Sequence, residues 1–163
     1  MKQLGLFVTL GLAFFTAHAA DVGIVKTATF DKDAAVPAAV KAECDLETKI
    51  PNYVFAEAKG EVQGLSFVDK PGAGRTLSMT IKSVAGSGGG AWSGPKQVTI
   101  EGKLLEKNKV VGSFVATRFS GGGAFGAYKG TCKILDRCAK ALGKDVAGWL
   151  MEPTMNARLG DAR

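Results

Sequence analysis

Residues 97–119 decide the fold, and they read QVTIEGKLLEKNKVVGSFVATRF. From 98 to 104, apolar and polar side chains alternate, which is the period of a strand with one buried and one wet face. A turn at 107–108 leads into a second strand, 110–119, in which Gly112 is expected to mark a bulge. The stretch therefore predicts two neighbouring antiparallel strands.

Upstream, a β-branched run predicts a first strand at 22–30, ended by the polar residues 31–33. Helical spacing of apolar residues covers 37–58, and Pro51 is expected to kink or split that helix because it lacks an N–H. A short strand at 62–68 and a strand at 76–82 follow, separated by a turn rich in proline and glycine.

Downstream, an amphipathic stripe at helical spacing predicts a final helix that starts at Thr131 as N-cap and ends near Leu150, before Pro153. Its apolar positions are Leu135, Cys138, Leu142, Val146 and Trp149. The order is β-α-β-β-β-β-α. We expect an α+β fold of two layers, with both helices on one face of a mostly antiparallel sheet whose last four strands form a meander.

The amino-terminal residues 1–19 have the pattern of an export signal. A positive start at Lys2, a short apolar run and the sequence Ala17-His18-Ala19 fit a leader cleaved after Ala19. No cysteine follows the run, so no lipid anchor is expected, and the run is too short to span a membrane. We expect a periplasmic or secreted protein with one domain at 20–152 and a flexible tail at 153–163.

Cleavage would remove His18, the one histidine, and would lower the formal charge from +6 to +5 by removing Lys2. No histidine would remain for general base or metal chemistry, so we expect a non-enzymatic protein without cofactor or metal. A small hydrolase that uses carboxylates is the less favoured alternative. The mild positive charge predicts weak, salt-sensitive attraction to polyanions and no specific nucleic-acid binding.

Two nearly identical glycine-rich segments flank the opening stretch. Residues 87–96 read SGGGAWSGPK and residues 120–129 read SGGGAFGAYK, with six of ten positions identical. In a meander the strands before the two segments run the same way, so both segments would emerge at one end of the sheet, roughly 10 Å apart. Neither segment is expected to bind a dinucleotide or a nucleoside phosphate, because no strand follows the last helix and no Gly-Lys precedes Ser or Thr.

The leading hypothesis is that these segments bind an envelope protein partner or a second copy through exposed aromatic side chains. The alternative is an anionic envelope polymer or a glycan, because bare N–H groups of glycine turns and adjacent cations attract anions. A third interpretation is that the segments only close the core. The candidate residues are Gly88, Gly89, Gly90, Trp92, Lys96, Arg118, Gly121, Gly122, Gly123, Phe125, Tyr128 and Lys129.

Three cysteines in an exported chain predict one disulfide and one free thiol. Cys132 and Cys138 would lie about 120° apart around one helix and about 9 Å along it, too far for a bridge. Cys138 also lies on the apolar stripe, where a free thiol is stable. We therefore favour Cys44–Cys132, with Cys44–Cys138 as the alternative.

The strings AWSGPKQVTIEGKL, VGSFVATRFSGGGAFGAYKGTC and ALGKDVAGWL resemble an uncharacterised family of small exported proteins from Gram-negative bacteria. The resemblance covers about residues 43–150 and implies no catalytic or binding residues. The predicted topology is also similar to α/β domains of envelope assembly and secretion lipoproteins, such as the curli secretion channel lipoprotein and the amino-terminal domain of the Tol-system propeller protein.

Overall fold

The computed structural model describes residues 21–72, 74–85, 96–121 and 130–162. The elements, in chain order, are β1 (Val22–Val25), β2 (Thr29–Ala35), α1 (Ala38–Glu43), α2 (Leu46–Ala58), β3 (Ser66–Val68), β4 (Arg75–Ala85), β5 (Lys96–Glu106), β6 (Lys109–Ser120), α3 (Thr131–Met151) and β7 (Ala157–Gly160). The strands form one sheet in the order β3-β1-β4-β5-β6-β7, with β2 also paired to β4. The predicted α+β class is confirmed.

The two longest ladders are antiparallel, as predicted, and join β4 to β5 and β5 to β6. Leu104 pairs with Gly112 whereas Leu105 pairs with Val110, so Val111 is an extra residue on β6. This is the bulge predicted at Gly112, and it bends β6 where the last helix crosses it.

The core lies between the sheet and the helices α2 and α3. Two glycines make room for its aromatic rings: a Cβ on Gly102 would lie 2.2 Å from the ring of Phe114, and one on Gly112 would lie 2.9 Å from the ring of Trp149. The rings of Phe114 and Trp149 meet edge to face with their centroids 4.8 Å apart. The absence of a side chain at Gly102 and Gly112 therefore lets the rings of Phe114 and Trp149 lie directly against β5 and β6.

The first helical region divides at a different place from the one predicted. Its break falls at Cys44 and Asp45, where Asp45 takes a left-handed backbone with φ 52°, and Pro51 lies inside α2 without ending it. The carbonyl of Glu47, which Pro51 leaves without a helical donor, accepts a hydrogen bond from the N–H of Ala28 instead. The prediction of a split at Pro51 was therefore wrong, because a distant segment replaces the missing donor.

The strands at the amino-terminal side also differ from the prediction. The first strand is interrupted at 26–28 and then continues through 31–33 as β2, while the strand predicted at 62–68 is shortened to β3. β3 pairs in parallel with β1, not antiparallel with β4. The meander therefore comprises three strands, and among the described strands only β5 runs against the others.

The carboxyl-terminal residues form structure where a loose tail was expected. α3 ends at Met151, and β7 follows and pairs in parallel with β6. The expectation that no strand follows the last helix was therefore wrong, because the pairing with β6 orders four residues that carry little strand pattern of their own. The N-cap of α3 is Gly130, so the prediction of Thr131 as N-cap was wrong by one residue. The backbone is left-handed at both ends of β7, with φ of 57° at Asn156 and 62° at Gly160.

Candidate binding site at the glycine end of the sheet

The end of the sheet where β4 stops, β5 begins and β6 stops is named here the glycine end. Ala85 pairs with Gln97 and Ser120 pairs with Lys96, so the last residues of β4 and β6 lie on the two sides of the first residues of β5. The predicted common direction of β4 and β6 is confirmed. The points from which the two glycine-rich segments leave the sheet are separated by two strand spacings, roughly 10 Å.

Most of the candidate residues lie outside the described part of the chain, which omits 86–95 and 122–129. The candidates that fall there are Gly88, Gly89, Gly90, Trp92, Gly122, Gly123, Phe125, Tyr128 and Lys129. The structure describes three others, Lys96, Arg118 and Gly121. Gly121 is exposed, and a Cβ built on it would meet no atom within 4 Å.

A disulfide lies at the same end and joins Cys44 to Cys132, with their Cα atoms 4.9 Å apart. This confirms the favoured pairing and excludes Cys44–Cys138. The bridge ties the C-cap of α1 to the first turn of α3 across 88 residues of sequence. Cys138 is free and buried, and burial raises the pKa of its thiol to about 11. The predicted role of Cys138 as a core thiol is confirmed.

Arg118 was a candidate anion-binding residue, but two carboxylates of the same chain already engage it. Its Nε and one terminal nitrogen each donate a 2.6 Å hydrogen bond to Asp145 on α3, and the other terminal nitrogen lies 3.3 Å from Asp161. The hydrogen bond with Asp145 raises the pKa of Arg118 further above its usual range. Gly160 permits this contact, since a Cβ there would lie 2.8 Å from the Arg118 Nε. Arg118 therefore joins β6, α3 and the carboxyl terminus.

Lys96 was a candidate anion-binding cation beside its glycine segment, but the structure buries it. Its relative exposure is 0%. Its backbone carbonyl accepts a weak hydrogen bond from the Sγ of Cys138 at 3.7 Å. β5 places Lys96 on the same face as Val98 and Ile100, which is the face that the helices cover. Lys96 is therefore part of the buried interior at the glycine end and not of its surface.

One exposed aromatic near this end was not among the predicted candidates. Phe119 is 54% exposed and pairs across the strands with Gln97. It lies on the face of the sheet opposite to the helices, because Arg118, its neighbour, points toward α3. The alternation of β6 could have revealed it, since Phe119 has the same parity as the polar residues Ser113 and Thr117.

Several carboxylates in the described part of the chain form ion pairs with lysine or arginine side chains. Asp31 is hydrogen-bonded to Lys82, and this contact lowers the pKa of Asp31 below its usual value. Glu101 lies between Lys82 and Lys103, at 3.8 and 3.4 Å. A low pKa suits a permanent ion pair and not a proton donor. No group of three or more metal-ligating side chains occurs within the described ranges.

No helix among the described residues is long and apolar enough to cross a membrane. No protein-family model matches the sequence. No curated protein matches it either.

Several solved structures resemble the fold at low sequence identity. A PelC dodecamer from Paraburkholderia phytofirmans is 10% identical with a TM-score of 0.47, over 77% of this chain and 87% of that chain. A Xanthomonas campestris protein of the DUF330 family is 12% identical with a TM-score of 0.48, over 81% and 84%. A minor lipoprotein from Acinetobacter baumannii is 11% identical with a TM-score of 0.40, over 82% and 93%.

Proposed function

We propose that this chain is an exported, non-enzymatic protein that binds an envelope protein partner through the glycine end of its sheet. The observation that carries the proposal is the common direction of β4 and β6, which attach two near-identical segments on the two sides of β5. Trp92 and Phe125 stand at the same place in the two segments. Large aromatic anchors of this kind supply much of the binding energy at protein interfaces.

Two contacts that hold the glycine end together also support the proposal. The Cys44–Cys132 bridge ties α1 to α3 there, and Arg118 joins β6 to Asp145 of α3. A surface mounted on a fixed base loses less conformational entropy when a partner binds, so more of the contact energy appears as affinity.

An anionic polymer is less well supported as the ligand at this end. Of the three cations that would hold it, Arg118 already pairs with Asp145 and Asp161, and Lys96 is buried. An incoming polyanion would have to displace carboxylates that form 2.6 Å hydrogen bonds. Lys129, the third, lies outside the described residues, and one cation by itself gives weak, salt-sensitive attraction.

Export is part of the same proposal. The disulfide requires an oxidising compartment in an ordinary bacterial cell, and the leader-like residues 1–19 provide the route to it. A partner is therefore expected among proteins that the chain meets after export.

The experiment is site-specific photo-crosslinking in living cells. A photoreactive phenylalanine analogue replaces Trp92 in one variant and Phe125 in another, and the cross-linked partner is identified and purified. We expect both positions to capture the same protein, and the purified partner to bind the wild-type chain with saturation. Trp92→Ala combined with Phe125→Ala should then weaken that binding at least about tenfold.

The matched control is Met151→Ala, which removes a large apolar side chain that is 59% exposed at the far end of α3. Its binding should equal that of the wild type. A folded double variant that binds the partner with unchanged affinity, or different proteins captured at positions 92 and 125, would contradict the proposal.

A further inference from the structure

The face of the sheet opposite the helices carries a shallow polar depression. It is lined by Asp31 on β2, Thr80 and Lys82 on β4, and Glu101 and Lys103 on β5. Strand alternation places these side chains on this face, because Thr80 and Glu101 are direct cross-strand partners and their neighbours Met79 and Ile100 enter the core.

A second shallow depression continues from the first and shares Glu101 with it. Its polar walls are Ser113 on β6, Asn156 before β7 and Arg158 on β7. The backbone N–H of Asn156 donates to the Oγ of Ser113 at 2.8 Å, which fixes the loop before β7 against the sheet. Together the two depressions form a trough that runs across the strands from β2 to β7, over four strand spacings or roughly 19 Å.

The charges in the trough are largely matched by one another. Lys82 contacts both Asp31 and Glu101, and Lys103 lies 3.4 Å from Glu101. At the β7 end, Arg158 donates through Nε to the carbonyl of Ala162 and forms no ion pair with any described residue. The trough therefore offers many hydrogen-bond donors and acceptors with little net charge.

This chemistry disfavours three classes of ligand. A polyanion requires unmatched cations in a row, but both lysines are already paired within the trough. A protein partner requires an apolar centre with few charges, whereas Glu101 and two lysines occupy the middle of this trough. A small apolar ligand requires an enclosed pocket, and this surface is open.

We infer that the trough binds an uncharged oligosaccharide that lies across the strands. Sugar hydroxyls both donate and accept hydrogen bonds, so they can donate to Asp31 and Glu101 and accept from Lys103, Thr80 and Arg158 along the same chain. The side chain of Val115, which is half-exposed beside the second depression, offers an apolar patch for the C–H face of a sugar ring. This inference does not depend on the proposed protein partner, because the trough and the glycine end are different surfaces.

The test is a two-dimensional NMR titration of the exported form of the chain with chitohexaose, cellohexaose and maltohexaose, each added to millimolar concentration. We expect at least one of them to shift the backbone amides around Thr80, Glu101 and Ser113, with a dissociation constant on the order of 1 mM or tighter. A heparin hexasaccharide of similar length serves as the charged comparison and should shift these amides less.

Two variants locate the binding. Glu101→Gln removes the central carboxylate and Thr80→Val removes one hydroxyl with little change of volume, and each should weaken the affinity about tenfold or more. Thr80→Val keeps the test decisive if Glu101→Gln proves unstable. Lys140→Gln changes one exposed charge on the helical face and should leave the affinity unchanged.

Three results would overturn the inference. The first is the absence of shifts with all three neutral hexasaccharides. The second is shifts confined to amides around Lys96 and Ser120, which would move any glycan to the glycine end. The third is stronger binding of the heparin hexasaccharide than of every neutral one.

Discussion

The backbone N–H of Ala28 donates a 2.9 Å hydrogen bond to the carbonyl oxygen of Glu47. Glu47 stands four residues before Pro51, so its carbonyl has no donor within α2. Ala28 lies in the break between β1 and β2, outside either strand, so its N–H can supply that donor. Pro51 would ordinarily weaken a helix. Here the carbonyl that it frees joins α2 to the segment between β1 and β2.

Replacement of Pro51 by Ala should therefore bring little stability. In an isolated helix interior this change gains about 3 kcal/mol, because a hydrogen bond returns and a clash is removed. Here the Glu47 carbonyl already accepts a hydrogen bond from Ala28 and Pro51 is buried, so little is gained. Loss of proline also makes the unfolded chain more flexible, which lowers the free energy of unfolding by about 0.4–1 kcal/mol. We expect the free energy of unfolding, measured by urea titration, to change by less than about 1 kcal/mol. A gain near the full helix-interior value would show that Ala28 contributes nothing.

Gly143 is the close contact between α2 and α3. A Cβ there would lie 2.6 Å from the Cβ of Tyr53 and 2.8 Å from its carbonyl carbon, so Gly143→Ala must push the two helices apart. We expect a loss of about 1–3 kcal/mol in the free energy of unfolding. Gly148→Ala in the same helix is the control, because its Cβ would meet no atom within 4 Å. That change should stabilise the protein by up to about 1 kcal/mol, and equal effects at both positions would refute the close contact.

The hairpin turn between β5 and β6 can be improved. Lys107 and Asn108 both have positive φ, 49° and 63°, which a lysine tolerates poorly. Two-residue turns of this kind favour Asn-Gly. The double change Lys107→Asn and Asn108→Gly should raise stability by about 1 kcal/mol, measured as an increase in the thermal midpoint. A lower midpoint would mean that the turn is not under strain.

Cys138 should make stability fall at alkaline pH. Its pKa in the folded protein is about 11, whereas an exposed thiol titrates near about 8.5. The folded state therefore holds the proton through that interval, and its stabilising contribution is present below the lower value and lost as pH rises toward 11. Urea unfolding at several pH values should show a shallower alkaline decline in Cys138→Ala. At pH 8.5, iodoacetamide should label Cys138 in the unfolded chain and spare it in the folded one.

The disulfide should contribute a large part of the total stability. It closes a loop of 88 residues, for which chain entropy predicts about 4–5 kcal/mol. Cys44→Ala combined with Cys132→Ala should lower the free energy of unfolding by roughly this amount, and reduction of the wild-type chain should have the same effect. Cys138→Ala serves as the control that keeps the bridge. A loss below about 1 kcal/mol would indicate that the unfolded chain is already compact in this region.

Local patterns predicted the parts of the fold that depend on neighbouring residues. The alternation in β4 and β5, the turn at Lys107 and the bulge at Gly112 follow from side-chain period and backbone preference. The choice of Cys132 as the partner of Cys44 followed from helix geometry. The position of β3 could not be predicted in this way, because three residues carry too little pattern to select between pairing with β1 and pairing with β4.

The candidate site shows the same division. The sequence predicted that β4 and β6 deliver the two glycine-rich segments to one end of the sheet, and the strand directions confirm this. It did not predict that Arg118 would be engaged, because Asp145 and Asp161 are 27 and 43 residues away in the chain. It also placed Lys96 among the candidate anion-binding residues, although strand alternation puts Lys96 on the buried face of β5.

The sequence by itself determined the strands of the central hairpin, the apolar stripe of α3 and the repeated glycine-rich segments, since each depends on residues close together in the chain. Only the tertiary structure decided which strand β3 joins, how Glu47 obtains a donor from Ala28, and which charges remain available to a ligand. The physical reason is that hydrogen bonds and ion pairs between distant residues form only after the chain has closed its long loops, and no local pattern records their partners.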